Sequence, residues 1–194
     1  LLADLRAGNY GEYVLVVEGA VQAKGTGNTG AWNDTSDTDV SWCAIGMDSD
    51  AIGEHDFAET VSQLAGNTNC RVVIPIGQCA TFGGYPGCKP PISATTAAGF
   101  DPAQSQTGAM GTYDYLDAAG EPAAAAKVIN VPGCPTNPWW FVLTVTLFLV
   151  DFVNGPFAST AVDGPLGILL ADGSINGNAV DSTRRLKAVY GNPI

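Results

Sequence analysis

Short, uninterrupted runs of apolar residues along this chain predict buried β-strands. The runs are YVLVV at 13–17, RVVIPI at 71–76 and KVINV at 127–131, and glycine or proline follows each within two residues. Valine-rich and isoleucine-rich runs of this kind are typical of parallel sheets covered on both faces. Because Pro75 cannot donate to a sheet ladder, we expect the second strand at an edge or with a bulge.

Helical patterns lie between and after these runs. They cover His55 to Leu64 and Pro138 to Val153, and the second opens with proline, which is favoured in a first helical turn. Repeated strand, loop and helix segments predict an α/β fold with a parallel sheet. The apolar stretch from Trp139 to Val153 is shorter than the roughly 20 residues of a membrane-spanning helix, and it contains Asp151. We therefore expect a buried helix there.

Two long polar stretches, 23–41 and 89–122, are rich in glycine, threonine, serine and proline and are predicted to be loops. Loops of this length are unusual in a compact domain unless they serve a site or an interface. Either a partner covers them or they are surface insertions. The tail from Asp172 to Ile194 predicts polar turns and a short basic helix, centred on Arg184, Arg185 and Lys187.

The charge of the chain narrows the classes of partner. With 19 acidic and 8 basic residues, the formal charge is -11, which argues against nucleic acid and against an acidic membrane surface. The first ten residues have neither a basic start nor an apolar run, so no secretory signal is visible. The compartment stays open between the cytoplasm and the cytoplasmic membrane surface.

Sulfur is the candidate for metal chemistry. The five cysteines are too widely spaced for a small disulfide scaffold, and His55 is the only histidine, which removes most zinc sites and histidine catalysis. The cysteines are Cys43, Cys70, Cys79, Cys88 and Cys134.

Three side chains with functional chemistry follow the predicted strands. Glu18 follows the first strand, Cys79 the second and Cys134 the third. Since the carboxyl ends of parallel strands meet at one edge, we expect a carboxylate and two thiols to be neighbours there. An iron-sulfur cluster needs close backbone approach, and glycines flank both cysteines at Gly77, Gly83, Gly84 and Gly133.

The segments VVEGAV (16–21), GQCATFGG (77–84) and VINVPGCPTNPWW (128–140) resemble, in order and context, the small subunits of nickel-iron hydrogenases. The resemblance implies a flavodoxin-like parallel sheet with helices on both faces and long loops, which binds a proximal [4Fe-4S] cluster through four cysteines. Two of the four match Cys79 and Cys134. The other two lie in a C-x-x-C motif at the end of the family's first strand, which we expect upstream of Leu1.

The resemblance also implies the role and partners of the chain. Residues 1–155 form the flavodoxin-like domain, and 156–194 form a linker and the start of a C-terminal region with further iron-sulfur clusters, expected beyond Ile194. The chain is then the electron-relay subunit of a nickel-iron hydrogenase, with no hydrogen chemistry of its own. Its obligate partner is the large subunit with the nickel-iron centre; a second heterodimer or an electron-acceptor protein are further candidates.

Glu18 matches a glutamate of the family, which implies a position near the cluster or in a proton path. A carboxylate that anchors a loop through backbone N–H bonds is the alternative. Some oxygen-tolerant members carry an extra cysteine where this chain has Gly84, so we expect no modified cluster of that type. Cys88 is interpreted as a packed or exposed thiol, with ligation left open.

The remaining residues are interpreted structurally. Cys43 and Cys70 are expected to be structural thiols, and His55 an exposed surface residue. Aromatic residues near the two cysteines are expected to pack in a core or against the partner: Phe82, Tyr85, Trp139 and Trp140.

Two other functions remain as alternatives. The cluster-bearing subunit of respiratory quinone reductases shares the fold and the G-x-C-A-x-x-G-G and V-P-G-C-P motifs, but its pattern lacks the glutamate that matches Glu18. A metal-free flavodoxin-like binding module lacks support, because no phosphate-binding glycine loop follows any strand.

Overall fold

The computed structural model describes residues 2–22, 44–45, 55–87, 109–156 and 163–191. In chain order its helices and strands are α1 (Leu2–Arg6), β1 (Tyr13–Glu18), β2 (Val21–Gln22), β3 (Ala44–Ile45), β4 (His55–Asp56), α2 (Phe57–Gly66), β5 (Cys70–Ile76), α3 (Gly77–Phe82), β6 (Ala109–Met110), α4 (Thr112–Ala118), α5 (Pro122–Ala125), α6 (Pro138–Asn154) and α7 (Lys187–Tyr190).

The three predicted strands form one parallel arrangement. β1 pairs with β5 along its whole length, ending at the pair Glu18–Ile76. The third predicted strand joins the other side of β5 through parallel bridges at residues 128 and 131. The parallel α/β fold predicted from the sequence is therefore confirmed.

The edge position predicted for the second strand is wrong, because β5 lies between β1 and the segment 128–131. Pro75 is buried there, and its carbonyl oxygen still accepts a hydrogen bond from the N–H of Val131 at 3.0 Å. The ladder resumes at the N–H of Gly77, so proline removes one bond without ending the pairing. The other alternative, a bulge, is found in this strand but not at Pro75: Tyr13 pairs with Cys70 and Val14 with Val72, so the register shifts at Arg71, near the start of β5.

Both faces of this sheet are covered. On one face, Val17, Val73 and Val128 pack with buried residues of α2, α4 and α5. On the other, Val72 and Ile129 pack with Phe148 of α6 and with buried tail residues, namely Ile168, Leu169, Val180 and Leu186. Because both faces of the sheet are buried, the sequences of its strands are nearly continuous apolar runs, without alternating polar residues.

The two predicted helices are present with small shifts at their ends. His55 belongs to β4, and α2 begins at Phe57. At α6, the side chain of Asn137 accepts a hydrogen bond from the N–H of Trp139 at 3.0 Å, and Pro138 occupies the first turn. A side-chain cap followed by proline is a strong helix start, which explains why the sequence indicated it.

The prediction of a buried α6 is wrong for one side of the helix. Phe148 and Asp151 face the interior, but Trp139 is 69% exposed and Val153 is 62% exposed. The sheet and the tail pack against only one side of α6. Among the described residues, no helix is both long and apolar enough to cross a membrane.

The loop predicted over 89–122 is wrong in its last part. Residues 109–110 form β6, α4 follows at once, and Pro122 begins α5. Leu116 of α4 is fully buried, and Tyr113 and Tyr115 of the same helix pack against the same core cluster. Residues 23–41 and 89–108 lie outside the described part of the chain.

The tail forms turns, as predicted, but its helix begins later than expected. Arg184 has a φ of 63°, which is incompatible with a right-handed helix, and α7 starts at Lys187. Asp181 accepts hydrogen bonds from the N–H groups of Thr183 and Arg185 at 2.8 and 3.0 Å. This aspartate organises a turn where the basic residues alone had indicated a helix.

Candidate cluster site at the carboxyl edge of the sheet

The ends of the three parallel strands lie at one level. Glu18, the last residue of β1, pairs with Ile76, and Ile76 pairs with Val131. The chain segments that carry Cys79 and Cys134 therefore leave the sheet side by side. Parallel pairing of strands produces this convergence, as the sequence predicted.

Two backbone hydrogen bonds join the cysteine-bearing segments. The N–H of Gly77 donates to the carbonyl oxygen of Val131, and the N–H of Gln78 donates to that of Gly133, each at 2.9 Å. Gln78 and Gly133 directly precede Cys79 and Cys134. The structure thus brings the backbones of the two cysteines together at this edge.

Helix α3 begins immediately after β5 and carries Cys79 in its first turn. Gly77 has a φ of 89°, which allows the sharp change from strand to helix. The helix ends at Phe82 and is capped by Gly83, which has a φ of 83° and whose N–H donates to the carbonyl oxygen of Cys79 at 2.9 Å. The short helix and its glycine ends follow from the GQCATFGG motif.

Gly84 lies directly against the side chain of Cys79. A Cβ atom placed on Gly84 would be 2.4 Å from the Cys79 sulfur, far closer than any real contact, and its φ of 56° also disfavours a side chain. The second glycine of the motif therefore leaves the room that the sulfur occupies. This is a direct structural reason for a glycine pair at 83–84.

The loop that carries Cys134 is also tightly constrained. Gly133 has a φ of 138°, and a Cβ there would lie 2.7 Å from the backbone of Thr136. The hydroxyl of Thr136 donates to the carbonyl oxygen of Gly133 at 3.3 Å. The Cys134–Pro135 peptide bond is cis.

The two thiols fit the role of partial cluster ligands. Both are free of disulfides; Cys134 is exposed and Cys79 is partly exposed. In the described part of the chain, no three histidine, cysteine or acidic side chains are grouped as a metal site. Two thiolates provide half of the four ligands that a [4Fe-4S] cluster requires, so a complete site needs further cysteines.

Glu18 and Cys70 differ in their surroundings. Glu18 is exposed at the same edge, at the end of β1. Cys70 is buried at the opposite end of β5, where burial raises the pKa of its thiol to about 11. A thiol held protonated in the interior is inert, which agrees with the structural role expected for it.

The aromatic residues near the site divide into two groups. Trp140 packs against the core, and its ring centroid lies 5.0 Å from that of Tyr190. Tyr85 is 89% exposed, and Trp139 is also largely exposed. Cys43, Cys88 and the side chain of His55 lie outside the described residues.

Two threonines that support α3 were missed by the sequence reasoning. The hydroxyl of Thr81 donates to the carbonyl oxygen of Gly77 at 2.8 Å, and that of Thr112 donates to Ala80 at 3.0 Å. Gly111 permits this contact, since a Cβ there would lie 2.3 Å from the carbonyl oxygen of Thr81. A Gly-Thr pair in a polar stretch carries no motif that would have indicated this role.

Comparison with known proteins places these features in a family. The model of the family described as NADH ubiquinone oxidoreductase, 20 Kd subunit, matches residues 1–148. The F420 non-reducing hydrogenase II small subunit of Methanosarcina mazei is 27% identical over 80% of this chain and 33% of its own length. The periplasmic [NiFeSe] hydrogenase small subunit of Desulfomicrobium baculatum is 25% identical over 70% of this chain and 34% of its own.

Solved structures support the fold. The [NiFeSe] hydrogenase of Desulfovibrio vulgaris Hildenborough aligns with a TM-score of 0.58 at 23% identity, covering 94% of this chain and 49% of that one. The chain spans about a third of the length of the curated relatives named above. Because the match covers the sheet and both cysteine motifs, the chain belongs to the family of the NADH ubiquinone oxidoreductase 20 Kd subunit, and its resemblance to hydrogenase small subunits is confirmed.

Proposed function

We propose that this chain is the electron-transferring small-subunit component of a nickel-iron hydrogenase, with Cys79 and Cys134 as two ligands of a proximal [4Fe-4S] cluster. The observation that carries the proposal is the hydrogen bond between the N–H of Gln78 and the carbonyl oxygen of Gly133 at 2.9 Å. It joins the backbones of the residues that directly precede the two cysteines at the edge of the sheet. The named relatives, which are hydrogenase small subunits, support the same function.

The protein groups at this edge fit the chemistry of such a cluster. A bound [4Fe-4S] cluster supplies one-electron transfer. Thiolates of Cys79 and Cys134 are soft ligands suited to iron, and Gly84 leaves space next to the Cys79 sulfur. The glycine-rich segments allow close backbone approach.

Glu18 is proposed to act near the cluster or in a proton path rather than as a loop anchor. Its carboxylate is exposed at the end of β1, level with the two cysteine segments. No hydrogen bond between Glu18 and backbone N–H groups is found in the described part of the chain, so support for the anchoring alternative is lacking. An exposed carboxylate at this edge is accessible to a proton donor on a partner.

The partner that fits this edge is a hydrogenase large subunit with a nickel-iron centre. Exposed aromatic residues flank both cysteine segments: Tyr85 follows α3, and Trp139 lies in the first turn of α6. Exposed aromatic side chains are enriched at protein interfaces. The large subunit is expected to bind across this edge, with further clusters and an electron acceptor completing the relay.

The experiment is to produce the chain with its large subunit and to replace Cys79 or Cys134 by serine. A hard alkoxide is a poorer ligand for iron than a thiolate, so each change should lower bound iron and acid-labile sulfide and weaken the reduced-cluster signal in electron paramagnetic resonance. Cys70→Ala is the matched control, because that thiol lies buried at the far end of β5. Iron content equal to the unaltered complex in both serine variants would refute the ligand assignment.

A second candidate function is the cluster-bearing subunit of a respiratory quinone reductase. The matching family model carries that description, which favours this alternative directly. Hydrogen uptake coupled to reduction of a viologen dye by the purified complex supports the hydrogenase. Quinone reduction with NADH and no hydrogen uptake supports the alternative.

A further inference from the structure

Helix α6 is almost entirely apolar, although the sheet and the tail pack against only one side of it. A helix that is apolar all round is normally covered all round in a folded protein. The uncovered side, which we call the outer face of α6, consists of Val142, Leu143, Thr146, Leu149, Val150 and Val153. Its five aliphatic residues are 38–62% exposed. The outer face therefore needs a cover that the described part of the chain does not provide.

The outer face has the spacing by which one helix packs against another. Val142 and Thr146 are four residues apart, Leu149 follows three residues later, and Val153 follows four after that. Alternating steps of three and four residues place apolar side chains in one stripe along a helix. This spacing favours a helix as the occupant.

The outer face is complementary to itself. If two copies of α6 pair antiparallel about a two-fold axis at Thr146, Val142 of each copy lies opposite Val150 of the other. In the same register Leu143 lies opposite Leu149, so every pair is matched in size and polarity. A two-fold interface requires this property, because the same patch serves both copies.

Electrical charge restricts where two copies of this chain can meet. Each copy carries a formal charge of -11, so the acidic surfaces of two copies repel each other. Helix α6 has a single charged residue, Asp151, and that residue is fully buried. The outer face is thus free of charge and suits contact with a copy of equal charge.

A lipid surface fits the outer face less well. Helices that lie on membranes carry lysine and arginine on the side opposite their apolar face. The opposite side of α6 instead packs into the core through Phe148. A protein surface is therefore the better occupant.

The exposed area is sufficient for a weak dimer. Leu166 adds to it next to the last turns of α6, since it is 48% exposed and its N–H donates to the carboxylate of Asp151 at 2.5 Å. With the outer face, this gives roughly 500 Å² per copy and roughly 1,000 Å² per pair, the threshold of a specific interface. We expect a dissociation constant in the micromolar range for a contact of this size.

We propose that the outer face of α6 binds the same face of a second copy of this chain, antiparallel about a two-fold axis at Thr146. The contact runs from the second turn of α6 to its end, so Trp139 in the first turn stays at the cysteine edge. The inference does not depend on the electron-transfer function, because it uses no residue assigned to the cluster.

The first test measures the mass of the purified complex by analytical ultracentrifugation across the micromolar range. A particle with two copies of the chain is expected. Leu149→Arg should raise its dissociation constant about a hundredfold or more, because each copy would bury an unpaired charge. Gln63→Arg, at an exposed position of α2 on the other side of the sheet, is the matched control and should have no effect.

A compensating change tests the two-fold register. Adding Leu143→Glu to Leu149→Arg should restore the dimer, because the new charges would meet only across the axis. Residues six apart on one helix are not neighbours, so pairing within one copy does not explain a rescue.

Cross-linking gives a second readout. Packed helices lie about 8–10 Å apart, so Thr146→Cys should form a disulfide-linked pair under mild oxidation, and Gln63→Cys should not. A single copy of the chain at every concentration, or no cross-link through position 146, would overturn the proposal. Loss of the large subunit from the Leu149→Arg complex would also overturn it, since the outer face would then belong to that subunit.

Discussion

The carboxylate of Asp151, in the last turns of α6, accepts a hydrogen bond from the backbone N–H of Leu169 at 3.0 Å. It also accepts one from the N–H of Ile168 at 2.5 Å, and it is fully buried. A single side chain therefore fixes the segment that follows α6 against the core.

Replacing Asp151 by asparagine should destabilise the chain by about 2–4 kcal/mol, because an amide presents a donor and no charge to these N–H groups. Chemical unfolding of the complex, followed by tryptophan fluorescence, measures the change. Asp172→Asn is the control: that carboxylate accepts from Ser174 on the surface and should matter little. Equal midpoints for the Asp151 variant and the unaltered protein would contradict the anchoring role.

Replacing Gly84 by alanine should disturb the Cys79 sulfur, which lies where the new Cβ would be placed. We expect lower iron content and an altered electron paramagnetic resonance spectrum of the complex. Gly120→Ala is matched for backbone strain, since Gly120 has a φ of 77° with open space around it. Identical spectra for the Gly84 variant and the control would show that the contact is unimportant.

Gly84 also leads to a prediction about the unaltered protein. With glycine at this position, the proximal cluster should show a single one-electron couple, not two successive oxidations. A redox titration of the complex monitored by electron paramagnetic resonance measures this. A second oxidation at higher potential would point to an unusual ligand, for which Cys88 is the candidate.

Stability should fall between about pH 9 and pH 11 because of Cys70. Burial raises the pKa of this thiol from 9.0 to about 11, so the folded state retains a proton that the unfolded state loses. The contribution of this thiol to the free energy of unfolding is fully present below about pH 9. It is lost as the pH rises through this window, which lowers the free energy of unfolding by about 2–3 kcal/mol. Urea unfolding at several pH values should show a shallower decline for Cys70→Ala, and an identical slope would contradict the assignment.

Replacing Trp139 by serine should weaken binding of the large subunit without unfolding the chain. An exposed aromatic residue at the centre of an interface contributes about 2 kcal/mol or more to binding, and Trp139 is followed by further exposed residues on α6. Native mass spectrometry of the complex over a dilution series gives the dissociation constant. Tyr10→Ser, at a similarly exposed aromatic residue near the other end of β1, should leave it unchanged.

The strands could be predicted from local apolar runs, and the common edge of Glu18, Cys79 and Cys134 followed from assuming that the three strands are parallel. An apolar run predicts a buried strand, and parallel pairing places the residues that follow at one edge. The glycines at 83–84 likewise belong to a motif that the sequence displays. The sequence was sufficient to predict those elements whose conformation depends mainly on their own residues.

Other features depend on contacts between distant segments, which the pattern does not contain. Pro75 is central because partners on both sides outweigh one lost hydrogen bond. The burial of Asp151 depends on N–H groups more than ten residues later in the chain. The exposed side of α6 depends on how far the sheet and tail extend, which apolar composition alone cannot reveal.

The bond between Gln78 and Gly133 has a consequence for mutational tolerance. It uses only main-chain atoms, so every residue except proline can occupy position 78 and still donate it. The side chain of Gln78 is exposed and free to vary. A saturation library at this position should therefore retain the cluster in all variants but proline, whereas libraries at Gly84 or Gly133 should retain it almost only with glycine.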